Sequence, residues 1–290
     1  MSSFNRYLPL VFAIVTASTL SLSSHANSEG PLALQNKTAY CTYNEGTYTW
    51  KIGNDAVSRS VHFDKLTGSL RTIQIMNGPK RAIVSDISPS EAEISITDVN
   101  SKSRTISLES DWEFAWQTVG RPAHGGRLLT IHLQGVRKNS GFEIELQYEV
   151  WGKDSPYMAK TVSLINRKEK PVFVSGATLN RWVVQINPLI GPIIRNGPAP
   201  SQKPPSFLGG TDGTGSLVQL QMGEGVTAAV NMKTGSVAME NGAMVVKTPV
   251  SLEVKPDTGR AVLPVSVIYA WSGPTPTGQL LLDKFTGMVK

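Results

Sequence analysis

The sequence is poor in cysteine, because Cys41 is the only one among 290 residues. A single thiol cannot form a disulfide within the chain, so the sequence excludes a small secreted domain stapled by disulfides. Cys41 could act as a nucleophile or bridge two molecules, but no histidine stands near it in the sequence. We therefore expect an ordinary thiol at the edge of a strand.

The sequence also lacks the spacings that hold metals or phosphates. It has four histidines, and neither the HxxxH nor the CxxC spacing of a zinc site occurs. The phosphate-binding GxxxxGKS/T pattern and the GxSxG esterase elbow are absent as well. We expect no metal and no cofactor.

Long apolar runs are confined to the N-terminus. Arg6 precedes an uncharged, mostly apolar stretch at residues 8–22, and the SHA sequence at 24–26 provides a small-x-small cleavage site. This order is typical of a secretory signal peptide, and the stretch is short for a hydrocarbon core of roughly 30 Å. We expect a signal peptide at residues 1–26 and a secreted or periplasmic protein without a membrane span. A retained N-terminal anchor is the alternative.

Charge of one sign is not concentrated anywhere. The formal net charge of +6 becomes +5 when Arg6 is removed with the signal peptide. The densest basic group, Arg167, Lys168 and Lys170, is interrupted by Glu169 and indicates a solvated turn. The pattern does not predict nucleic-acid binding, although it leaves open a weak preference for anionic polymers.

What the sequence does contain is one β-strand pattern after another. Residues 142–150 (FEIELQYEV) alternate apolar and polar positions, so one face is expected in a core and the other in water. The polar face carries Glu143, Glu145 and Glu149, which we interpret as solvated or as partners of basic residues on a neighbouring strand. Roughly sixteen such stretches, separated by turn residues, predict an all-β fold, namely a large two-sheet antiparallel sandwich.

Two segments interrupt the strand pattern. Residues 187–215 are rich first in proline and then in glycine, which argues against a helix or a central strand there. Such a long loop is either functional, flexible or a join between two halves of the sandwich. Residues 279–290 form a C-terminal tail that could make one or two helical turns. We predict one β-sandwich domain at residues 27–278.

Part of the sequence resembles a known family. The segments that carry the resemblance are WKIGN at 50–54, FD at 63–64, TGSL at 67–70, YEV at 148–150 and PV at 171–172. Their spacing is similar to that of the N-terminal β-supersandwich of melibiase-type α-galactosidases, which shares the fold of galactose mutarotase. The resemblance covers residues 40–180 and implies a carbohydrate-related β-supersandwich.

The same resemblance does not imply glycosidase activity. In those galactosidases a (β/α)8 barrel follows the sandwich and carries two catalytic aspartates, whereas this sequence shows no alternation of strands and helices. We therefore expect no counterpart of those aspartates. A mutarotase needs a glutamate base and a histidine acid, and the histidine motif of that enzyme does not match His62, His124 or His132.

The most suggestive aromatic stretch is DWEFAW at residues 111–116. Trp112, Phe114 and Trp116 are two apart, so the period of a strand predicts that they share one face. Flat aromatic faces pack against the C–H faces of ligands such as sugars while polar groups fix their orientation. We predict a carbohydrate-binding platform at Trp112 and Trp116, with core packing as the alternative.

The glycine-rich segment GRPAHGGR at residues 120–127 follows directly and predicts a hairpin loop. Arg121 and Arg127 could hold a carboxylate or hydroxyl groups through their forked donors, with His124 beside them. The alternative is a solvated turn. Trp182 is a further stacking candidate because it stands next to the proline-rich loop.

These patterns predict a secreted carbohydrate-binding or accessory β-sandwich module without catalysis of its own. A second hypothesis is a carbohydrate-active enzyme, an epimerase, lyase or hydrolase, whose acid and base come from Glu113, His124 or His132. A third hypothesis is an assembly partner of a separately encoded glycosidase, docking through residues 187–215.

Overall fold

The computed structural model of the protein is built of antiparallel β-strands. It describes residues 39–78, 81–85, 90–122, 125–152, 155–183, 193–195, 216–221, 224–230, 235–240, 243–257 and 259–272. Within these ranges there are nineteen strands and one short 3-10 helix, Arg137–Asn139. The predicted all-β class is confirmed. The expected signal peptide, most of the 187–215 loop and the C-terminal tail lie outside the described residues.

The strands form three sheets. The first small sheet contains, in spatial order, β1 (Tyr40–Asn44), β2 (Thr49–Gly53), β3 (Val57–Asp64), β4 (Ser69–Asn77) and β5 (Arg81–Ser85). The second small sheet contains β16 (Ser236–Glu240), β17 (Ala243–Val254), β12 (Val172–Val183), β6 (Glu93–Asp98) and β7 (Ser103–Ser107). The large sheet contains β13 (Ile193–Arg195), β14 (Ser216–Gln221), β15 (Glu224–Val230), β19 (Ser266–Ser272), β11 (Tyr157–Asn166), β10 (Phe142–Val150), β9 (Arg127–Gly135) and β8 (Trp112–Gly120), with β18 (Arg260–Val262) also paired to β11.

Strand β10 shows how the sequence pattern becomes a sandwich. It has the predicted bounds, and the apolar residues at alternate positions are buried, namely Phe142, Ile144, Leu146, Tyr148 and Val150. These side chains define the inner face of the large sheet, which packs on the two small sheets. The intervening residues define its outer face.

Glycine and proline mark two of the breaks between strands. The turn at residues 65–68 joins β3 to β4, and Gly68 has a φ of +67°. A Cβ at Gly68 would lie 2.4 Å from the backbone oxygen of Trp112, so the turn requires glycine there. Pro264 separates β18 from β19, which both pair with β11, in accord with the exclusion of proline from a central ladder.

The inner face of the large sheet contacts both small sheets. Strands β9, β10, β11 and β19 approach β1 to β4 of the first small sheet, while β11, β15 and β18 approach β17 of the second. One continuous hydrophobic cluster draws residues from all three sheets, including Trp50, Leu146 and Val174. The protein is therefore a two-layer sandwich in which one large sheet covers two smaller ones.

A buried ion network ties the three sheets together in the middle of this core. Glu91, just before β6, is 1% exposed and accepts hydrogen bonds from Arg59 of β3 at 2.6 Å and from Lys160 of β11 at 2.8 Å. Tyr148 of β10 donates to the same carboxylate at 2.9 Å, and Thr72 of β4 donates to its other oxygen. Every layer of the sandwich thus contributes to the environment of one carboxylate.

The two cations of the network have further partners. Lys160 donates to the backbone oxygen of Leu179 at 2.6 Å and to Oδ1 of Asn180 at 3.1 Å, both in β12. Arg59 also donates to Asn180, at 3.2 Å, and to Thr72 at 2.7 Å. Buried charges of this kind are tolerated only when their donors are satisfied, as they are here.

Burial and mutual attraction set the protonation of the network. Burial alone would raise the pKa of Glu91, but the Arg59 and Lys160 charges outweigh it and lower that pKa to about 2. Burial lowers the pKa of Lys160 to about 8, with Glu91 opposing and Arg59 adding to the shift. The carboxylate stays ionised, and the Lys160 ammonium loses its proton more easily than an ordinary lysine because of its burial and the nearby Arg59 charge.

We expect Glu91→Gln to lower the free energy of unfolding by about 3–5 kcal/mol, because it leaves two buried cations without an anion. Urea denaturation measures the change. Glu253→Gln, an exposed carboxylate on β17, is the matched control and should change stability by less than about 0.5 kcal/mol. Equal stability of the two variants would contradict a structural role for the network.

Lys160 should also give stability a distinctive pH dependence. The folded state releases this proton near pH 8, whereas the unfolded chain keeps it to about 10.5, so the unfolded state binds more protons in between. The unfolding free energy should therefore rise over this window, by at most about 1.4 kcal/mol per pH unit, relative to Lys160→Met. Cys41 and Tyr148, whose pKa values burial raises, act in the opposite direction in both proteins. If the unfolding free energies of the protein and of Lys160→Met changed in parallel with pH, the lowered pKa of Lys160 would be refuted.

Candidate functional site

A β-bulge in β8 decides which aromatic side chains reach the surface. The register between β8 and β9 shifts between Phe114, which opposes Leu133, and Trp116, which opposes His132. Ala115 is the extra residue, so the alternation of inner and outer side chains reverses there. The prediction that Trp112, Phe114 and Trp116 share one face is wrong for this reason.

Two of the predicted stacking residues are core residues. Trp112 is 2% exposed, and its Nε1 donates to the backbone oxygen of Ser107 at 2.8 Å. Trp182 is 1% exposed, and the Arg59 guanidinium lies 5.5 Å from its ring centroid. Neither ring offers a face to a ligand in this structure, so the predicted platform reduces to Trp116.

The glycine-rich segment 120–127 is the hairpin loop between β8 and β9, as predicted. Gly126 has a φ of +96°, and a Cβ there would lie 2.1 Å from the backbone oxygen of Val150, so the loop passes very close to β10. Arg121 is exposed at the start of the loop and Arg127 is half-buried at its end. His124 lies outside the described residues. A binding role for this loop stays a prediction.

Trp116 and His132 form the centre of a candidate site on the outer face of the large sheet. Trp116 is 43% exposed, and its ring stacks on the His132 imidazole with 4.7 Å between centroids and 11° between planes. His132 is itself 8% exposed and opposes Glu145 of β10. We call the outer-face group of Trp116, His132, Glu143, Glu145, Arg167 and Arg260 the Trp116 face.

Glu143 links His132 to a guanidinium. Its Oε2 lies 3.2 Å from Nε2 of His132, and Arg167 donates to both of its oxygens at 2.9 Å. The forked hydrogen bonds from Arg167 are the main reason that the pKa of Glu143 falls below its ordinary range, and Glu143 in turn raises the pKa of Arg167. A carboxylate held in this way is an ionised acceptor rather than a proton donor.

Glu145, two residues after Glu143 in β10, has a comparable environment. Arg260 donates to Glu145 and, at 3.0 Å, to Oγ of Ser163. Gln147 donates to Glu145 at 3.1 Å. The sequence-based interpretation that the β10 carboxylates meet basic partners is confirmed for Glu143 and Glu145. The identities of those partners had no sequence signal, since Arg260 is 115 residues away.

The Trp116 face therefore combines one exposed aromatic plane with a lattice of fixed donors and acceptors. Aromatic planes bind the apolar face of a ring-shaped ligand, and convergent polar groups select its hydroxyl pattern. The face is a sheet surface with its charges paired, so it suits a neutral polyhydroxylated ligand better than an ion.

A shallow depression lies on the outer face of the second small sheet. Its volume is about 370 Å³, and serine and threonine residues of β6, β7, β12 and β17 line it together with Glu93 and Lys247. Glu93 lies 3.7 Å from Arg181, and Lys247 lies 2.7 Å from Glu240. This depression has no aromatic lining residue, which makes it the weaker candidate for stacking against a sugar.

Other chemistries find little support within the described ranges. No three His, Cys, Asp or Glu side chains converge there as metal ligands would. Cys41 lies in the edge strand β1, as expected, and burial raises its pKa to about 12, which disfavours the reactive thiolate. No helix in the described part of the chain is long and apolar enough to cross a membrane.

The solved structures that this chain resembles include two α-galactosidases and a protein assigned as an aldose 1-epimerase. The GH36 α-galactosidase AgaB from Geobacillus stearothermophilus matches with a TM-score of 0.52 at 11% identity, over 81% of this chain and 41% of that chain. The galactosidase domain of the α-galactosidase–sucrose kinase AgaSK gives 0.53 at 10%, over 81% and 42%. A Klebsiella pneumoniae protein assigned as an aldose 1-epimerase gives 0.52 at 9%, over 87% and 88%.

These likenesses establish the fold as a galactose mutarotase-like β-supersandwich, as the sequence resemblance predicted. The chain spans about two fifths of the length of the two galactosidases. No model of a known protein family matches the sequence, and no curated protein is similar to it by sequence. At identities this low the likeness shows the fold alone.

The Glu143–Arg167 pair should be a modest contributor to stability, because the side chains are 18% and 44% exposed. A double-mutant cycle with Glu143→Gln and Arg167→Met should give a coupling energy of about 0.5–1 kcal/mol by urea unfolding. A control cycle that combines Glu143→Gln with Lys51→Met, on the first small sheet, should show no coupling. A coupling of several kcal/mol would contradict the solvated character of the Trp116 face.

Proposed function

We propose that the protein is a carbohydrate-binding β-supersandwich module that holds a neutral sugar on the Trp116 face. The observation that carries this proposal is the exposed indole of Trp116, stacked on His132 at 4.7 Å beside fixed carboxylates and guanidinium groups. Trp116 is 43% exposed because the bulge at Ala115 turns its side chain away from the core. The carbohydrate-active proteins that share the fold support the same ligand class.

The geometry of the Trp116 face favours binding over catalysis. A general acid needs a pKa raised toward the working pH, whereas Arg167 lowers that of Glu143. Glu143 and Glu145 are each engaged by a guanidinium, which keeps them as hydrogen-bond acceptors for a ligand. We further propose that residues 1–26 direct the module to the periplasm or the cell exterior, on the strength of the sequence pattern alone.

A carbohydrate-active enzyme is the second candidate, and one observation favours it. The His132 imidazole lies 3.2 Å from the Glu143 carboxylate, a distance at which a proton can be exchanged. Glu113 is exposed on the same outer face, opposite Gln134. Acceleration of galactose anomer interconversion, lost in His132→Ala, would establish this activity. The third hypothesis, docking of a glycosidase through the 187–215 loop, depends mostly on residues outside the described ranges.

Glycan binding tests the proposal directly. A glycan array probed with the protein should show binding that Trp116→Ala weakens about tenfold or more, since truncating a central aromatic anchor costs roughly 1.4 kcal/mol or more. Phe173→Ala is a matched control, because Phe173 is 44% exposed on β12 of the second small sheet. It should bind as the unmodified protein does.

Two results would contradict the assignment. Equal binding by Trp116→Ala and the unmodified protein would remove the Trp116 face as the site. Loss of binding in Phe173→Ala alone would move the site to the second small sheet, where the 370 Å³ depression lies.

A further inference from the structure

Strand β8 forms an open edge of the large sheet. Within the described residues it pairs with β9 alone. Its nine residues make it the longest of the described strands that end a sheet, since the others have five or three. An edge strand presents unpaired backbone N–H and C=O groups along its free side, and another strand can pair with them. The β8 edge is therefore the longest template for an added strand in this part of the chain.

This edge lacks most of the features that normally prevent strand pairing. Residues 112–120 contain neither lysine nor proline, and their one charge is Glu113. Two large apolar side chains of β8 are instead exposed, Trp116 at 43% and Val119 at 52%. The bulge at Ala115 interrupts the strand, but its register with β9 is regular from Trp116 to Gly120. Natural sheets blunt their edges with charges and proline, so an edge of this composition indicates an interaction surface.

Opposite charges mark the two ends of the β8 edge. Glu113 is exposed near the start of the strand, and Arg121 is exposed directly after its end. Neither side chain forms an ion pair with another described residue. A second copy of β8 in antiparallel orientation brings its basic end to the acidic end of the first, whereas parallel pairing brings like charges together. The edge is thus complementary to itself in the antiparallel orientation.

The bulge also decides the register in which two copies fit. When the extra residue Ala115 is left out, Gln117 is the middle residue of β8 from Glu113 to Gly120. A two-fold axis at Gln117 places Val119 of each copy opposite Phe114 of the other. Both side chains lie on the inner face, because their partners in β9 are the buried Leu133 and Leu129. The exposed valine thus gains an apolar cross-strand neighbour.

We propose that the protein forms a two-fold dimer in which the β8 strands of two copies pair antiparallel and join their large sheets. The axis at Gln117 places Glu113 of each copy opposite Gly120 of the other and next to its Arg121, so the ion pair forms twice. The axis is perpendicular to the sheet, so both Trp116 faces lie on the same side of the dimer. The proposal does not rest on sugar binding, because the edge of β8 makes the contact.

Analytical ultracentrifugation of the protein over a concentration series tests the pairing. We expect a monomer–dimer equilibrium that Val119→Lys weakens about tenfold or more, because it puts a charge into the paired edge. Val262→Lys is the matched control, since Val262 is 54% exposed on β18 of the same sheet. It should dimerise as the unmodified protein does, and circular dichroism should show the same fold in all three proteins.

Charge reversal tests the orientation of the two strands. Glu113→Arg and Arg121→Glu should each weaken dimerisation about fivefold or more, because like charges then meet at both ends of the paired strands. The double variant should recover the affinity of the unmodified protein. A protein that stays monomeric throughout the series, an unchanged dimer in Val119→Lys, or a double variant no better than the single ones would overturn the proposal.

Discussion

The constraint on which the structure depends is the single carboxylate of Glu91, buried in a polar network to which every sheet contributes. Arg59 comes from the first small sheet, Lys160 and Tyr148 from the large sheet, and Asn180 from the second small sheet. A buried carboxylate of this kind is stable only when all its partners are in place. The network therefore specifies how the three sheets are positioned, beyond what apolar packing requires.

That positioning divides the functions of the large sheet between its faces. The inner face carries the Glu91 network and the apolar core, so Tyr148 and Lys160 are committed to structure. The outer face is left to carry the paired charges of Glu143 and Glu145 and the exposed Trp116. Because strand residues alternate, each inward structural residue leaves its neighbour facing solvent. The proposed sugar site is a consequence of the same alternation that builds the core.

The alternation of apolar and polar residues predicted strand bounds well, but it predicted poorly which side chains of β8 reach the surface. The alternation in residues 142–150 gave the bounds of β10, its buried face and its carboxylate face correctly. The same reasoning failed in β8, two strands away in the large sheet, because the bulge at Ala115 has no marker such as glycine or proline. It therefore placed Trp112 beside Trp116 when one is core and the other is exposed.

The sequence by itself determined the all-β class, the bounds of β10 and the resemblance to the mutarotase-like sandwich, because these follow from residue patterns within short windows. Only the tertiary structure decided which charges meet. Glu91 with Lys160, Glu145 with Arg260, and Arg104 with Phe142 join residues distant in the chain. Such partners depend on how sheets stack and where registers shift, and no local pattern encodes either.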